Sequence, residues 1–503
     1  MELSFQNAQF SYLNRVLQKV QEQEELAETV VPDSYPDILS VVDAYAEPMI
    51  RGKECREGSV VISGGIQGGI MYLPDDHSYA RNLDFYIPFT MKVEHSTLTE
   101  HAQVQCSVRV RTVDGCAVNS RKAMLRVSLE CFVSAFEETT EVLSILQDAP
   151  DCLETRQAVY ELLLPIEAVE KSFSIQEALD VPLDLAPVIH VCKMSNRVMV
   201  REQKLVGNKA VFKGTVETNM LYFGEDDQYH ICQRSFPFSQ YCELQNEYDR
   251  ETLELLPVLT GCNWDNGGED EVRQINLTIH ILMQCTVSGN RKIETIEDAY
   301  CIGGTLAPQW TSHHFNTRLD QQTFHQVLRK TQEQPFKEIV DTAIYMGFPR
   351  YELQNGVAHI TTPVQIHILG YCDNNILTGA CGKADDIKEL SSADCCNLIA
   401  DVSIAGKPES HITGTGAETT CELCLTVSCC AEQCLNNLAG GTIEQCSNQE
   451  GETPSLILRT VNEGTSLWQL AKHYRTRESA IQTANHLETE VLDTARILLI
   501  PMV

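Results

Sequence analysis

The chain has 503 residues, 43% of them hydrophobic, which is room for about three or four globular domains. Its 70 acidic residues against 38 basic ones leave a net charge of −32; no basic face is available to neutralise phosphates, which excludes a nucleic-acid binder and disfavours an anionic membrane surface. No apolar run reaches the roughly 18 residues that a membrane span needs, and Met1–Gln6 lacks the basic start and apolar core of a secretory signal. The expectation is a chain that stays in the cytosol.

Taken in order, Phe10, Leu13, Leu17 and Val20 recur at helical spacing and Gln21–Glu25 continues them as an acidic tail, so residues 8–28 are predicted helical. That helix is expected to pack on the domain after it. The stripe is short for a coiled coil, which ranks self-association second.

A repeat then organises most of the chain. Gly64 and Tyr72 recur as Gly214 and Tyr222 at a step of 150, Phe89 as Phe238 at 149, and Pro36 as Pro187 at 151. Near-equal steps at separate places mark a duplication. Ile62, Ile66, Ile70 and Tyr72 alternate with smaller or polar residues, as do Phe212, Val216, Met220 and Tyr222, so each copy holds a half-buried strand. The acidic turns Asp75-Asp76 and Glu225-Asp226-Asp227 lead into a second strand, which makes a hairpin. Further β runs follow at Val104–Val110 and Leu125–Cys131, and in the second copy at Ile275–Met283, giving sandwich-like domains. A diverged third copy has Val364, Ile366 and Ile368; Tyr371 lies 149 past Tyr222, whereas the alternation itself fits 148. Helical connectors are predicted at Glu154–Leu164 and Thr323–Gly347, and Glu444–Pro454 is a polar link to the last segment.

That segment begins with a β run, Leu456–Val461, and Gly464 supplies the turn after it. Ser466 followed by Gln469 has the spacing of a capping box, and Leu467, Leu470, Ala471 and Tyr474 give the helix one apolar face. Thr476 is the expected cap of a second helix buried through Ile481, Ala484 and Leu487. Ile497–Ile500 closes the unit as a strand, so the order is βααβ.

Residues that could carry chemistry read mostly as structure. Ten of the 21 cysteines fall between Cys372 and Cys446, and without an export signal they are expected to be reduced, buried thiols. Cys421 and Cys424 form a CxxC pair, but on a strand they point to opposite faces, which spoils a chelate. His313-His314 is expected in a loop, and His359 and His367 on a sheet surface. Glu137-Glu138 and Glu269-Asp270-Glu271 are expected to be solvated acidic turns. The glycines from Gly64 to Gly69 lack the Lys-Ser/Thr of a phosphate loop and continue as a strand. No enzyme, metal or cofactor is expected; a thiol oxidoreductase would need a low-pKa cysteine near Cys424.

Residues 456–503 resemble the LysM module through Gly464, Leu467-Trp468, Ala471, Asn485 and Ile500-Pro501. The resemblance implies a binding groove at Gly464, Thr465, Ser466, Leu467 and Trp468 and from Asn485 to Leu487, of the kind that holds N-acetylglucosamine chains. Trp468 is read as core before rim anchor. Thr465 stands where that family usually has Asp, and Ala495 where it usually has Gly; Ala495 is expected to resist a positive φ, which predicts a reshaped second loop. Val31-Pro32-Asp33, Pro36-Asp37-Ile38, the Gly64–Tyr72 strand and Ile87-Pro88-Phe89 resemble the SPOCS-type repeat of sporulation and spore-coat proteins of clostridia-like bacteria.

Together these give a mainly β chain: tandem β-sandwich-like repeat domains with connecting helices, ending in a βααβ LysM module. The expected parts are an N-terminal helix at 1–31, repeats at 32–150, 172–300 and 323–445, and the module at 456–503. The resemblance implies a non-enzymatic scaffold or adaptor at the forespore surface, inside the mother cell. Its module would hold a spore-coat basement-layer, ATPase-type morphogenetic protein. The alternative is a wall or cortex protein that binds the glycan of peptidoglycan.

Overall fold

The alternating runs form strands in the computed structural model, which describes residues 1–76, 79–265, 272–391, 397–445 and 455–502. With 78% strand and 4% helix, the fold is mainly β. The first set of strands is β1 (Phe5–Val30), β2 (Ile38–Arg56), β3 (Ser59–Pro74), β4 (Arg81–Glu94), β5 (Gln103–Asn119) and β6 (Lys122–Leu146). The second is β7 (Leu153–Asp180), β8 (Val188–Gly224), β9 (Tyr229–Tyr248), β10 (Thr252–Asp265) and β11 (Gln274–Cys301). The third is β12 (Gly304–Gln332), β13 (Glu338–Met346), β14 (Arg350–Gln354), β15 (Val357–Tyr371), β16 (Leu377–Ser391), β17 (Asn397–Ile404), β18 (Glu409–Ile412) and β19 (Ala417–Gln445). The chain ends with β20 (Leu456–Val461), α1 (Leu467–Tyr474), α2 (Glu478–Asn485) and β21 (Arg496–Pro501).

One plan recurs in each set. The long first strand returns against the last, in the sheets β1-β6-β5, β7-β11-β10 and β12-β19-β17. The strands between form a second sheet: β2-β3-β4, then β8-β9, then β13 and β16 on either side of β15, which β14 also pairs. In the first set both sheets share one core, with Ile62, Ile66, Ile70 and Phe89 packed among Leu125, Val127 and Leu129. Each such side chain, fully buried, contributes about 1.5–3 kcal/mol.

Matching bonds tie the first two sets to one template. The Tyr72 hydroxyl donates to the Pro36 carbonyl at 3.1 Å, and the Tyr222 hydroxyl to that of Ala186 at 2.9 Å. Arg121 donates to the carbonyls of Val31, Pro32 and Tyr35, and Arg273 to those of Pro182 and Leu185. Gly64 and Gly214 each leave room for a phenylalanine. A Cβ on Gly64 would sit 2.3 Å from the Met49 carbonyl oxygen and 2.4 Å from the Phe89 ring; on Gly214 it would sit 2.2 Å from Met199 O and 2.6 Å from Phe238.

The three sets meet at a shared apolar centre. Met71, Leu221 and Leu369 lie in one cluster together with Phe223, with Leu73 and Tyr371 against it, and the trios 71/221/369 and 73/223/371 both step by 150 and then 148. The third copy is therefore in the 148 phase, and the counterpart of Tyr222 is Gly370. The ring of Phe336 stands where a side chain on Gly370 would go, 2.7 Å from its Cβ position.

The helices expected before the C-terminal unit are absent. Residues 8–28 lie in β1, paired along its length with β6, so the segment is the first strand of a sheet rather than an N-terminal helix. Its glutamates take basic partners from neighbouring strands, Glu22 with Arg111, Glu24 with Arg126 and Glu28 with Lys122. Such pairing, with burial of Tyr12, Leu13 and Leu17, overrides local helix preference. Residues 154–164 likewise belong to β7, and 323–347 to the end of β12 and to β13. Glu137 and Glu138 sit in β6 rather than a turn, and His313 and His314 in β12 rather than a loop. His313 meets Glu141 at 2.7 Å and His314 meets Glu432 at 2.9 Å. Glu269-Asp270-Glu271 and most of the polar link, 446–454, lie outside the described residues.

Candidate functional site

The C-terminal unit is built as a sheet with two helices on one side. β20 and β21 pair antiparallel, and Val461, Leu467, Ala471, Ile481, Leu498 and Ile500 form the core between sheet and helices. Gly464 has φ 79°, the turn its sequence implies. Ser466 stands at the N-cap of α1 without a side-chain cap bond, so the capping box is not made. Arg477 rather than Thr476 stands at the N-cap of α2, without a side-chain cap bond; the Thr476 hydroxyl instead donates to the Pro501 carbonyl at 2.5 Å. Positive φ outside glycine occurs, among the described residues, at Asp227, Asn355, Asn375, Arg475 and His486, so Ala495 keeps an ordinary backbone.

The residues of the expected groove divide into four kinds. Gly464, Thr465 and Ser466 are accessible on the first loop, which is laced to the second by Gly464 N–H to Leu492 O at 2.8 Å and Leu467 N–H to Glu490 O at 2.8 Å. Leu467 is fully buried in the core. Asn485 clamps the last strand, its amide donating to Leu499 O at 2.6 Å and accepting from Leu499 N–H at 2.7 Å, while Leu487 packs at the edge of the core.

Trp468 turns away from the loops and joins the unit to the second set of strands. Its indole N–H donates to Asp298 of β11 at 2.8 Å, and its ring stands edge-on to Tyr300 at 4.9 Å. Lys472 reaches the other Asp298 oxygen at 2.5 Å, and Tyr300 donates to the Thr476 carbonyl at 2.8 Å. Burial opposes the Asp298 carboxylate, but the bonds from Lys472, Trp468 and the Ala299 N–H outweigh it and hold its pKa below the ordinary value. No sequence spacing links positions 298 and 468, so this contact carried no local signal.

The outward face of the two-stranded sheet carries exposed apolar side chains. Leu456, Leu458 and Ile497 are 50%, 67% and 63% exposed, on the face of β20 and β21 turned away from the helices. Three large apolar side chains together on a sheet face are unusual for a surface with no partner.

The thiols divide differently from the expectation. Among the described free cysteines after residue 371 only Cys421 is buried; Cys372, Cys424 and Cys430 are half-buried, and Cys381 and Cys434 are exposed. Cys429 is disulfide-bonded, which corrects the reduced state expected for it, and Cys395, Cys396 and Cys446 lie outside the described residues. Burial and the Asp401 charge push the Cys424 thiol up, away from the reactive range. Among the described residues no group of three or more His, Cys, Asp or Glu side chains could hold a metal, and no helix is long and apolar enough to cross a membrane.

His367 corrects its placement on a sheet surface. It is 7% exposed, at the meeting point of the three sets, with Nδ1 2.9 Å from Asp43. Lys193 lies 3.5 Å from Asp43 and 3.1 Å from Asp341. Asp43, Lys193 and Asp341 step by 150 and 148, so equivalent positions of the three copies supply the charges.

Comparison with known proteins adds one match. The family model described as SipL, SPOCS domain matches residues 187–262, which run from the start of β8 into β10. No curated protein and no solved structure matches the chain. The match supports the SPOCS reading of the repeat over these residues and points to a sporulation-related role.

Proposed function

We propose that the chain is a non-enzymatic scaffold of spore-coat assembly, in which all three sets of strands are SPOCS-like repeats and the C-terminal unit is a LysM-type binding module. The matched bonds of Tyr72 with Tyr222 and of Arg121 with Arg273 support extending the reading from the matched residues to the first repeat. The module holds a protein partner, a morphogenetic protein of the coat basement layer. The observation that carries this is the exposed apolar face of Leu456, Leu458 and Ile497, which suits an apolar protein surface better than a sugar. Sugar binding commonly uses an open aromatic face, and Trp468 is occupied by Asp298 and Tyr300.

The test is sedimentation of the purified chain with cell-wall glycan, beside co-purification from sporulating cells with wild type and with L458E/I497E as bait. The proposal expects no retention on glycan and a partner that the double variant loses. Retention on glycan that short N-acetylglucosamine chains compete away would overturn it in favour of a peptidoglycan binder.

A further inference from the structure

β15 and β16 pair in the register that sets Cys381 directly opposite His367. The Cys381 sulfur lies 3.5 Å from His367 Nε2, and His367 Nδ1 lies 2.9 Å from Asp43. A thiol, an imidazole and an orienting carboxylate thus stand in line, the arrangement by which a nucleophile is activated. Gln365 adds a second donor, its Nε2 at 3.1 Å from the sulfur. That amide cannot turn away, because its oxygen accepts the Val113 N–H at 2.7 Å. The histidine is enclosed while the cysteine is open to solvent.

The surrounding charges fix the protonation state. Asp43 on β2 and Asp341 on β13 are enclosed with one lysine, Lys193 on β8, a surrounding that favours a second positive charge. Protonated His367 supplies it. The other titratable groups facing the site are Tyr345 on β13, edge-on to the imidazole at 5.3 Å, and Asp114 on β5, 3.2 Å from Gln365 Nε2. Burial disfavours charge on His367, but the bonds to Asp43 and Cys381 outweigh it and raise its pKa to about 9. Burial likewise works against the Cys381 thiolate, and the bond and charge of His367 overcome it, lowering the thiol pKa.

We propose that Cys381 is a nucleophilic thiolate site for thiol–disulfide exchange, with His367 and Gln365 as its positioning residues and a disulfide as its substrate. The Cys381 sulfur attacks one sulfur of the disulfide and the S–S bond breaks. A mixed disulfide forms on Cys381, and the other sulfur leaves as a thiolate that takes a proton from water. One disulfide is exchanged for another, so no further oxidant is needed. The product is a covalent link between the third repeat and whatever bore the disulfide, which goes beyond the non-covalent scaffold proposed above.

The test uses the intact chain and bis(2-hydroxyethyl) disulfide, an uncharged probe that the acidic surface does not repel, with labelled positions mapped by mass spectrometry. Exposed Cys116 is the internal reference. Cys381 is expected to react at least about tenfold faster than Cys116 at pH 6, and its rate to climb by well under about tenfold per pH unit from there to pH 8. Cys434, near His314 at 3.9 Å but in open solvent, should follow Cys116. Equal rates at Cys381 and Cys116, or a Cys381 rate that climbs about tenfold per pH unit, would overturn the proposal. The wild-type comparison needs no variant to fold. In addition, H367Q with an intact melting transition should lose the rate advantage of Cys381 over Cys116 at pH 6, and its retention would remove the role given to His367.

Discussion

The indole N–H of Trp468 donates to the carboxylate of Asp298 across 2.8 Å, and this bond fastens the C-terminal unit to the second repeat. Asp298 also receives Lys472, so one carboxylate serves two residues of α1. A hydrogen bond to a charged acceptor is worth about 1.5–3 kcal/mol net. D298A should therefore release the unit without unfolding it. Of the three tryptophans, Trp264 and Trp310 are 45% and 39% exposed and Trp468 is 7% exposed, so release should red-shift the emission. Faster hydrogen exchange confined to α1 and the Tyr300 region is the second readout, and unchanged exchange would count against the docking role.

Lys193 sits between Asp43 and Asp341 with all three side chains about 95% enclosed. Removing one partner of such a group leaves uncompensated buried charge, so K193M should cost about 3–5 kcal/mol. Replacing the group together, as D43N/K193M/D341N, should recover most of the loss. Denaturant unfolding of the two variants checks this; equal destabilisation would mean that the charges do not act as a unit.

The pH dependence has a definite sign. His367 is raised from 6.5 to about 9, so its contribution, on the order of 3 kcal/mol, is full below pH 6.5 and is lost as pH rises through 9. Half-buried Glu47, receiving the Asn196 N–H at 2.8 Å, is pushed up to about 7 by burial. A carboxyl that binds its proton more tightly when folded also loses stability as pH rises, here between about 4.5 and 7. Asp43 and Asp298 are both held below their ordinary values, and their contribution disappears only in stronger acid. Melting temperature should therefore peak near pH 5 and decline toward 9, and E47Q should flatten the decline between pH 5 and 7.

Gly214 has no room for a side chain, with the Met199 carbonyl 2.2 Å and the Phe238 ring 2.6 Å from its Cβ position. The backbone oxygen cannot move as a side-chain tip would. G214A should cost about 3 kcal/mol, and G64A in the first repeat should cost the same. A neutral effect on urea unfolding at either position would contradict the shared template.

Legibility followed the range of the interactions. Alternation from Ile62 to Tyr72 and from Val364 to Ile368 read directly as strands, because the pleat sends successive side chains to opposite faces, although the assembled structure leaves neither face of these stretches exposed. The βααβ order was also local, set by the Gly464 turn and the apolar face of α1. The glutamate-rich first strand read as a helix because its partners, Arg111, Lys122 and Arg126, lie about a hundred residues away in sequence. At the candidate site the loops were legible and the docking of Trp468 was not, since Asp298 lies 170 positions earlier. His367 looked like a surface residue because its strand alternates, yet in the assembled repeats both faces of β15 are covered. The third copy hid its phase because Phe336 took the space of the missing tyrosine ring.

The central claim, a repeat body that presents a terminal binding unit during sporulation, is tested most directly by deleting Leu456–Val503 and following the tagged protein in sporulating cells. The account predicts that the truncated chain keeps its β-sheet signal and cooperative melting while spreading through the mother cell. Accumulation of the truncated chain at the forespore surface, at the level of the full-length protein, would contradict it.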